Sequence, residues 1–269
     1  MAAWRRIFPS ACSVLVLSCA SAFAAGDAAP KVEHYDWQGE LGGNIPVAVR
    51  FETRDGLIVG EIVYTGTQER TPIRLLGTVV QGQMRMKEMR QGLIAGSITG
   101  AIANGVFEGV RRSPGEVIKK DEAFEFVDGK ELPLRLVAVP GQSGPFRWEC
   151  DPAALAGKYV YSYGNYAAEG VADIAGIRDG VVEFSIGAHI GAPSYNMAVV
   201  PADEPGEKGR NAQGRMQGNR VVHEESEDCA FEILFFYDFL FIRNLEGKTC
   251  DGWFGRGAGV EGHFVRVDK

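Results

Sequence analysis

An all-β chain is what the 269-residue sequence predicts: two small antiparallel barrels or curled sheets in tandem, preceded by a signal peptide. Three observations predict it. The 35 glycines stand against few helix-favouring stretches, which is the composition of many short strands joined by turns. Runs of alternating apolar residues are repeatedly split by Asp-Gly or Asn-Gly, the pairs that tight hairpin turns need because both central residues adopt positive φ. A Pro/Gly/Ser-rich stretch, Val139 to Pro145, divides the chain into two parts, each long enough for a modest core.

The first residues predict the compartment. Arg5 and Arg6 precede an apolar run from Ile7 to Ala20, and Ala22-Phe23-Ala24 is a small-x-small cleavage site, so residues 1–24 read as a signal peptide and the location as periplasmic. Leu15-Val16-Leu17-Ser18-Cys19 is a rival: it resembles a bacterial lipobox, which implies a lipid anchor at Cys19. Beyond Ala24 no transmembrane span is expected. Glycines 92, 96, 100 and 105 break the uncharged run from Gln91 to Phe107, and Glu232 and Asp238 interrupt the run from Cys229 to Ile242. Removal of Arg5 and Arg6 takes the formal charge from −7 to −9. That disfavours nucleic acid and anionic membrane as partners and favours a basic protein, with plain solubility as the simpler account.

The N-terminal β domain is placed at 33–138. Val47, Val49 and Phe51 alternate on one face, Asp55-Gly56 turns the chain, and Leu57 to Tyr64 returns. Ile73 to Val79 and Gln83 to Arg90 read as strands. Met84, Met86 and Met89 lack any accompanying Cys or His, so they read as gap-filling core side chains rather than a soft-metal site. Leu93 to Val110 is split by Asn104-Gly105 into another hairpin, Arg111 to Asp128 reads as a charged loop, and Leu132 to Val137 as the closing strand. The matching positions Trp37, Gly39, Gly42, Gly43, Pro46, Asp55, Gly56, Gly60, Leu132 and Pro133 resemble a bacterial envelope domain. These are turn and core positions, so the resemblance implies architecture and no activity.

Residues 139–152 read as the linker, with one helical turn at Pro152–Ala156 capped by Asp151. The C-terminal barrel domain is placed at 153–269. Its strands are Lys158 to Tyr163, Gly170 to Ile174, Val181 to Ile186 after the Asp179-Gly180 turn, Tyr195 to Val200 and Arg220 to Glu224, closed by the aromatic hairpin from Cys229 onward. Pro201 to Arg215 carries no large apolar residue worth burying and reads as an exposed loop. Cys229, Phe231, Leu240, Phe241, Ile242, Cys250, Gly252, Gly255, Gly262 and Phe264 resemble small secreted lysozyme-inhibitor-like barrels, minimal calycins in build. Such barrels often carry a further mid-domain cysteine, and this chain has none between Cys150 and Cys229.

No reaction is legible. One disulfide and one leftover thiol are expected of the three mature cysteines; Cys229–Cys250 is the expected bridge, with pairing of Cys150 across the barrel as the alternative. His34, His189, His223 and His263 show no metal-ligand spacing, and Gly255 to Gly259 lacks the strand and helix of a phosphate loop, so no metal, cofactor or catalytic residue is assigned. The candidate partner-binding residues are Tyr159, Tyr161 and Tyr163, which alternate on one strand face, and the acids Glu224, Glu225, Glu227 and Asp228. Their plainer readings are barrel core and a solvated, aggregation-resistant edge. The expected function is a non-enzymatic periplasmic protein-binding factor, by resemblance an inhibitor or immunity protein masking a cell-wall lytic or toxic enzyme. The alternative is a calycin-like carrier of a small apolar ligand.

Overall fold

The computed structural model describes residues 32–140, 144–201, 211–250 and 253–267. The signal peptide, Cys19 and residues 202–210 of the expected loop lie outside them.

Ten strands come from the first half: β1 (Glu33–Leu41), β2 (Ile45–Arg54), β3 (Leu57–Tyr64), β4 (Ile73–Val80), β5 (Gln83–Arg90), β6 (Leu93–Ala103), β7 (Val106–Arg112), β8 (Glu116–Lys120), β9 (Ala123–Val127) and β10 (Glu131–Ala138). Strands β1 to β7 pair in sequence order, β7 pairs with β10, and β10 returns to β1, which closes an eight-stranded antiparallel barrel. The turns that sequence chemistry marks do make the hairpins: Asp55-Gly56 and Asn104-Gly105 have both residues at positive φ, as do Gln81-Gly82 and Gln91-Gly92.

Alternation then sorts the side chains. Inward residues such as Trp37, Val49, Phe51, Ile58, Ile62, Leu75, Met86, Ile98, Phe107 and Leu136 fill the barrel. Close strand approach also forces some residue choices: a Cβ at Gly39 would stand 2.0 Å from the Arg135 carbonyl oxygen. One end of the barrel is closed by a polar cluster. The fully buried Glu88 accepts from Tyr64 Oη at 2.8 Å and from Arg111 Nη2 at 2.8 Å, and Arg111 Nη2 also reaches the Ala95 carbonyl. A β-bulge between Glu88 and Met89 exposes that carbonyl and flips Met89 to the outer face. Burial beside Glu88 pushes the Tyr64 phenol well above its usual range. With its lone pairs occupied, Glu88 reads as a satisfied structural charge rather than a reactive one.

The second half holds β11 (Gly157–Ser162), β12 (Glu169–Arg178), β13 (Val181–His189), β14 (Met197–Val200), β15 (Ala212–Gln217), β16 (Arg220–Glu224), β17 (Ala230–Phe235), β18 (Phe239–Asn244) and β19 (Gly262–Arg266). β13 pairs with β15 along its first half and with β14 along its second, and β19 pairs back onto β11 through Tyr159↔Arg266 and Val160↔Val265. Phe184, Phe231, Phe235, Leu240, Ile242 and Phe264 fill the inside of this circuit. The single turn at Pro152–Ala154 is capped as expected, Asp151 Oδ1 accepting from the Ala153 amide.

Outward residues of β3 to β6 (Leu57, Val59, Leu76, Met89 and Ile94) pack with Trp148, Phe236, Phe239 and Phe241 in one apolar cluster. Trp148 is pinned there by Glu52, which is 2 % exposed. Glu52 accepts from Trp148 Nε1 at 2.6 Å and from the Phe146 amide at 2.9 Å, and lies 2.9 Å from His34 Nδ1.

Three expectations need correction. Residues 116–127 are not loop but a two-stranded ribbon, β8 with β9, because Val117, Ile118, Phe124 and Phe126 are strand formers interleaved with charges around a turn at Asp121. Ala212 to Arg215 belong to β15, with Ala212 and Gly214 on the buried side. The strand expected from Tyr195 starts at Met197, since Tyr195 itself sits at φ +49°.

Candidate partner-binding surface

Antiparallel order brings the loops 163–168, 190–196 and 225–229, with residues 245–250 and 253–261, to one end of the second circuit, here termed the mouth. The Cys229–Cys250 disulfide ties two of these loops together, as the sequence leads one to expect, and among the described residues Cys150 is the free thiol. Burial pushes the Cys150 thiol up, away from a nucleophilic thiolate.

The acidic run forms a tight turn over the bridge. The amides of Glu225 and Ser226 both donate to the Cys229 carbonyl, at 2.9 and 3.1 Å, and the Cys250 amide donates to the Asp228 carbonyl at 3.3 Å. This turns the carboxylates outward: Glu224, Glu227 and Asp228 are exposed, while Glu225 is half-buried with its carboxylate 2.7 Å from His223 Nε2. Glu169, Glu246 and Glu261 add to the same end, against Lys248 and Arg256 among the described residues, so the mouth is strongly acidic.

The tyrosines divide. Tyr159 is fully buried and its hydroxyl donates to the Leu155 carbonyl at 3.0 Å; it is core, not partner surface, because it points into the circuit. Tyr161 packs edge-on against Phe264 at 4.9 Å, and burial pushes its phenol up to about 12. It forms the floor of a cleft of about 370 Å³ whose walls include His189, Asn244, Thr249, Phe254 and Glu261. Tyr163 turns toward the first barrel, with Lys87 5.0 Å over its ring. The structure therefore brings Tyr161 and the acids to one end and takes Tyr159 into the core, while Tyr163, at the start of the mouth loop 163–168, aims its ring at Lys87 of the first barrel.

Sequence reading passed over the apolar rim. Among the described residues thirteen large apolar side chains are exposed, and six of them gather here: Phe126 on the β8–β9 ribbon, and Tyr166, Ile190, Tyr195, Met197 and Trp253 around the mouth, whereas Ile118 and Val127 lie on the ribbon's opposite face. A concentration of this kind marks contact surfaces. The ribbon reaches the mouth through Phe124, whose ring meets Tyr166 at 5.6 Å and Tyr195 at 6.1 Å, both edge-to-face. Tyr166, Tyr195 and Cys250 also hold positive φ outside any two-residue hairpin turn, and all three are mouth residues. A bulky residue in the left-handed region costs free energy, so the surrounding loops fix these positions against a local preference.

Inside the second circuit Phe184, Phe231, Phe235 and Phe264 are fully buried within one continuous apolar cluster. Phe239 and Phe241, two residues apart on β18, point outward against the first barrel. Among the described residues, no group of three or more His, Cys, Asp or Glu side chains converges as a metal site, and no helix is long and apolar enough to cross a membrane. No family model, curated protein or solved structure matches the chain.

Proposed function

We propose that the chain is an exported, non-enzymatic protein-binding factor of two tandem β domains, which masks a basic enzyme that attacks the cell wall. The periplasm is its place of action, reached by cleavage after Ala24 or by lipid attachment at Cys19. The observation that carries the reading is the mouth: exposed aromatic and aliphatic side chains lie beside a turn of outward carboxylates, the combination of an apolar anchor with a charged rim that protein partners use. Carboxylates held in a fixed turn steer a cationic partner and add speed of association more than residence time. Export supports the oxidised bridge that holds the turn.

The test uses the mature protein, residues 25–269, titrated into cell-wall suspensions cleared by a panel of purified basic muramidases. Clearing slows in proportion to added protein, and the combined variant Glu224→Gln, Glu227→Gln, Asp228→Asn weakens the effect by about tenfold or more, as does salt well above physiological strength. Clearing that proceeds unchanged with every enzyme refutes the wall-lytic partner. Inhibition indifferent to both salt and the variant refutes the acidic turn as its contact.

A further inference from the structure

The β8–β9 ribbon is a sheet by itself. Its two strands pair with each other over Glu116↔Val127 to Lys120↔Ala123 and, among the described residues, with no other strand, so both outer edges present backbone groups outside any ladder there. Proteins normally blunt such an edge with charge or cover it, because it is a template for another strand. Here Phe126 is 60 % exposed and Val127 43 %, both on β9.

The ribbon is nonetheless held in place at both ends. At its base the Ser113 amide donates to the Lys130 carbonyl at 2.9 Å, the Lys130 amide donates to Ser113 Oγ at 2.8 Å, and Arg112 pairs with Glu131. Near its tip Phe124 rests against Tyr166 and Tyr195. Side chains two residues apart on a strand share a face, so Phe126 projects on the same side as Phe124, toward the mouth. Two strands alone are marginal in water, and a third strand supplies the missing pairing.

We infer that the free edge of β9 receives an extended, basic segment of a partner protein as a third strand. Main-chain hydrogen bonds to the edge supply affinity, and alternate side chains of the incoming strand lie on Phe126. Charge points to a basic segment: Glu116, Asp121, Glu122 and Glu125 outnumber Lys119 and Lys120 on the ribbon, and the acidic mouth lies beside it. Anchoring at base and tip means that little order is lost on binding. The inference rests on the protein-binding reading of the mouth and assigns to the first half of the chain one wall of the contact.

Amide hydrogen exchange on the whole mature protein tests it, with an eight-residue peptide of alternating lysine and valine as the probe. Exchange across residues 123–127 slows by roughly tenfold when the peptide is present, as bound edge amides open less often. Phe126→Lys, an exposed change that leaves the Ser113–Lys130 bonds in place, abolishes the slowing without altering exchange in the absence of peptide. Slowing confined to 225–229 and 245–250 overturns strand addition while leaving the acidic mouth as the contact. Slowing of 123–127 without peptide, rising with protein concentration, overturns it in favour of a second copy of the chain. No slowing anywhere overturns it as well. Slowing at 123–127 with no effect on muramidases supports the strand and separates it from the wall-lytic reading.

Discussion

His263 on β19 makes stability depend on acidity in a way that can be calculated. Its ring stacks on Phe241 at 4.4 Å, its Nε2 is buried with no hydrogen-bond partner, and the Gly77 backbone hydrogen-bonds the ring. Burial is the main cause that lowers its pKa from 6.5 to about 4; nearby Lys87 lowers it further, and the Gly77 bond opposes both. The folded protein thus holds a neutral imidazole where the unfolded chain takes up a proton. The full contribution is present above pH 6.5, is lost progressively as pH falls from 6.5 toward 4, and changes no further below that. One pKa unit corresponds to about 1.4 kcal/mol, so the loss is about 2 kcal/mol at pH 5 and about 3 kcal/mol once pH is below 4.

Replacing His263 with Phe removes the proton and keeps the ring stack, at a cost of about 1 kcal/mol for the lost backbone hydrogen bond. Urea unfolding of both proteins from pH 7.5 to 4.5 reads the difference, in which the carboxylates common to both cancel. The variant is the less stable protein at pH 7 and the more stable one at pH 5. Parallel stability curves refute the reasoning, as does an imidazole that titrates near 6.5 by proton NMR.

Glu52→Leu leaves the Trp148 Nε1 and Phe146 amide donors buried without an acceptor, and lowers unfolding free energy by about 2–4 kcal/mol in the same urea assay. Replacing Cys229 and Cys250 together by Ser releases a loop whose ends are 21 residues apart, which lowers stability by about 3 kcal/mol on the loop-entropy estimate. Calorimetry shows that loss as a lower melting temperature, and reduction of the native protein reproduces it.

Local chemistry made much of this fold legible and hid the rest for definite reasons. Asp55-Gly56, Asn104-Gly105 and Asp179-Gly180 mark hairpins because a two-residue turn needs residues that tolerate positive φ. Gln81-Gly82 and Gln91-Gly92 make the same turn with glutamine, a residue without that preference, so only the glycine signals it. The ribbon at 116–127 escaped notice because its strands are five residues each and β8 is mostly charged, too short a pattern to separate strand from loop. Within the site, the acidic turn is readable as a run of carboxylates and the bridge as paired cysteines. The apolar rim is not: Phe124, Tyr166 and Tyr195 are far apart in sequence and meet only because a ribbon from one half reaches loops of the other. Tyr159 and Tyr161 share a face, yet only the depth of each along the circuit makes one core and the other cleft floor.

β18 has no polar side: Leu240 and Ile242 fill its own circuit, while Phe239 and Phe241 lie against the first barrel. A strand committed on both faces ties the history of one half to that of the other. Exchange of either half with an unrelated chain leaves this aromatic face without its counterpart, and a change at Leu76 or Ile94 is judged by selection on how it meets a residue more than a hundred positions away. The Pro/Gly segment that looks like a natural seam for shuffling is therefore a poor place to recombine this gene.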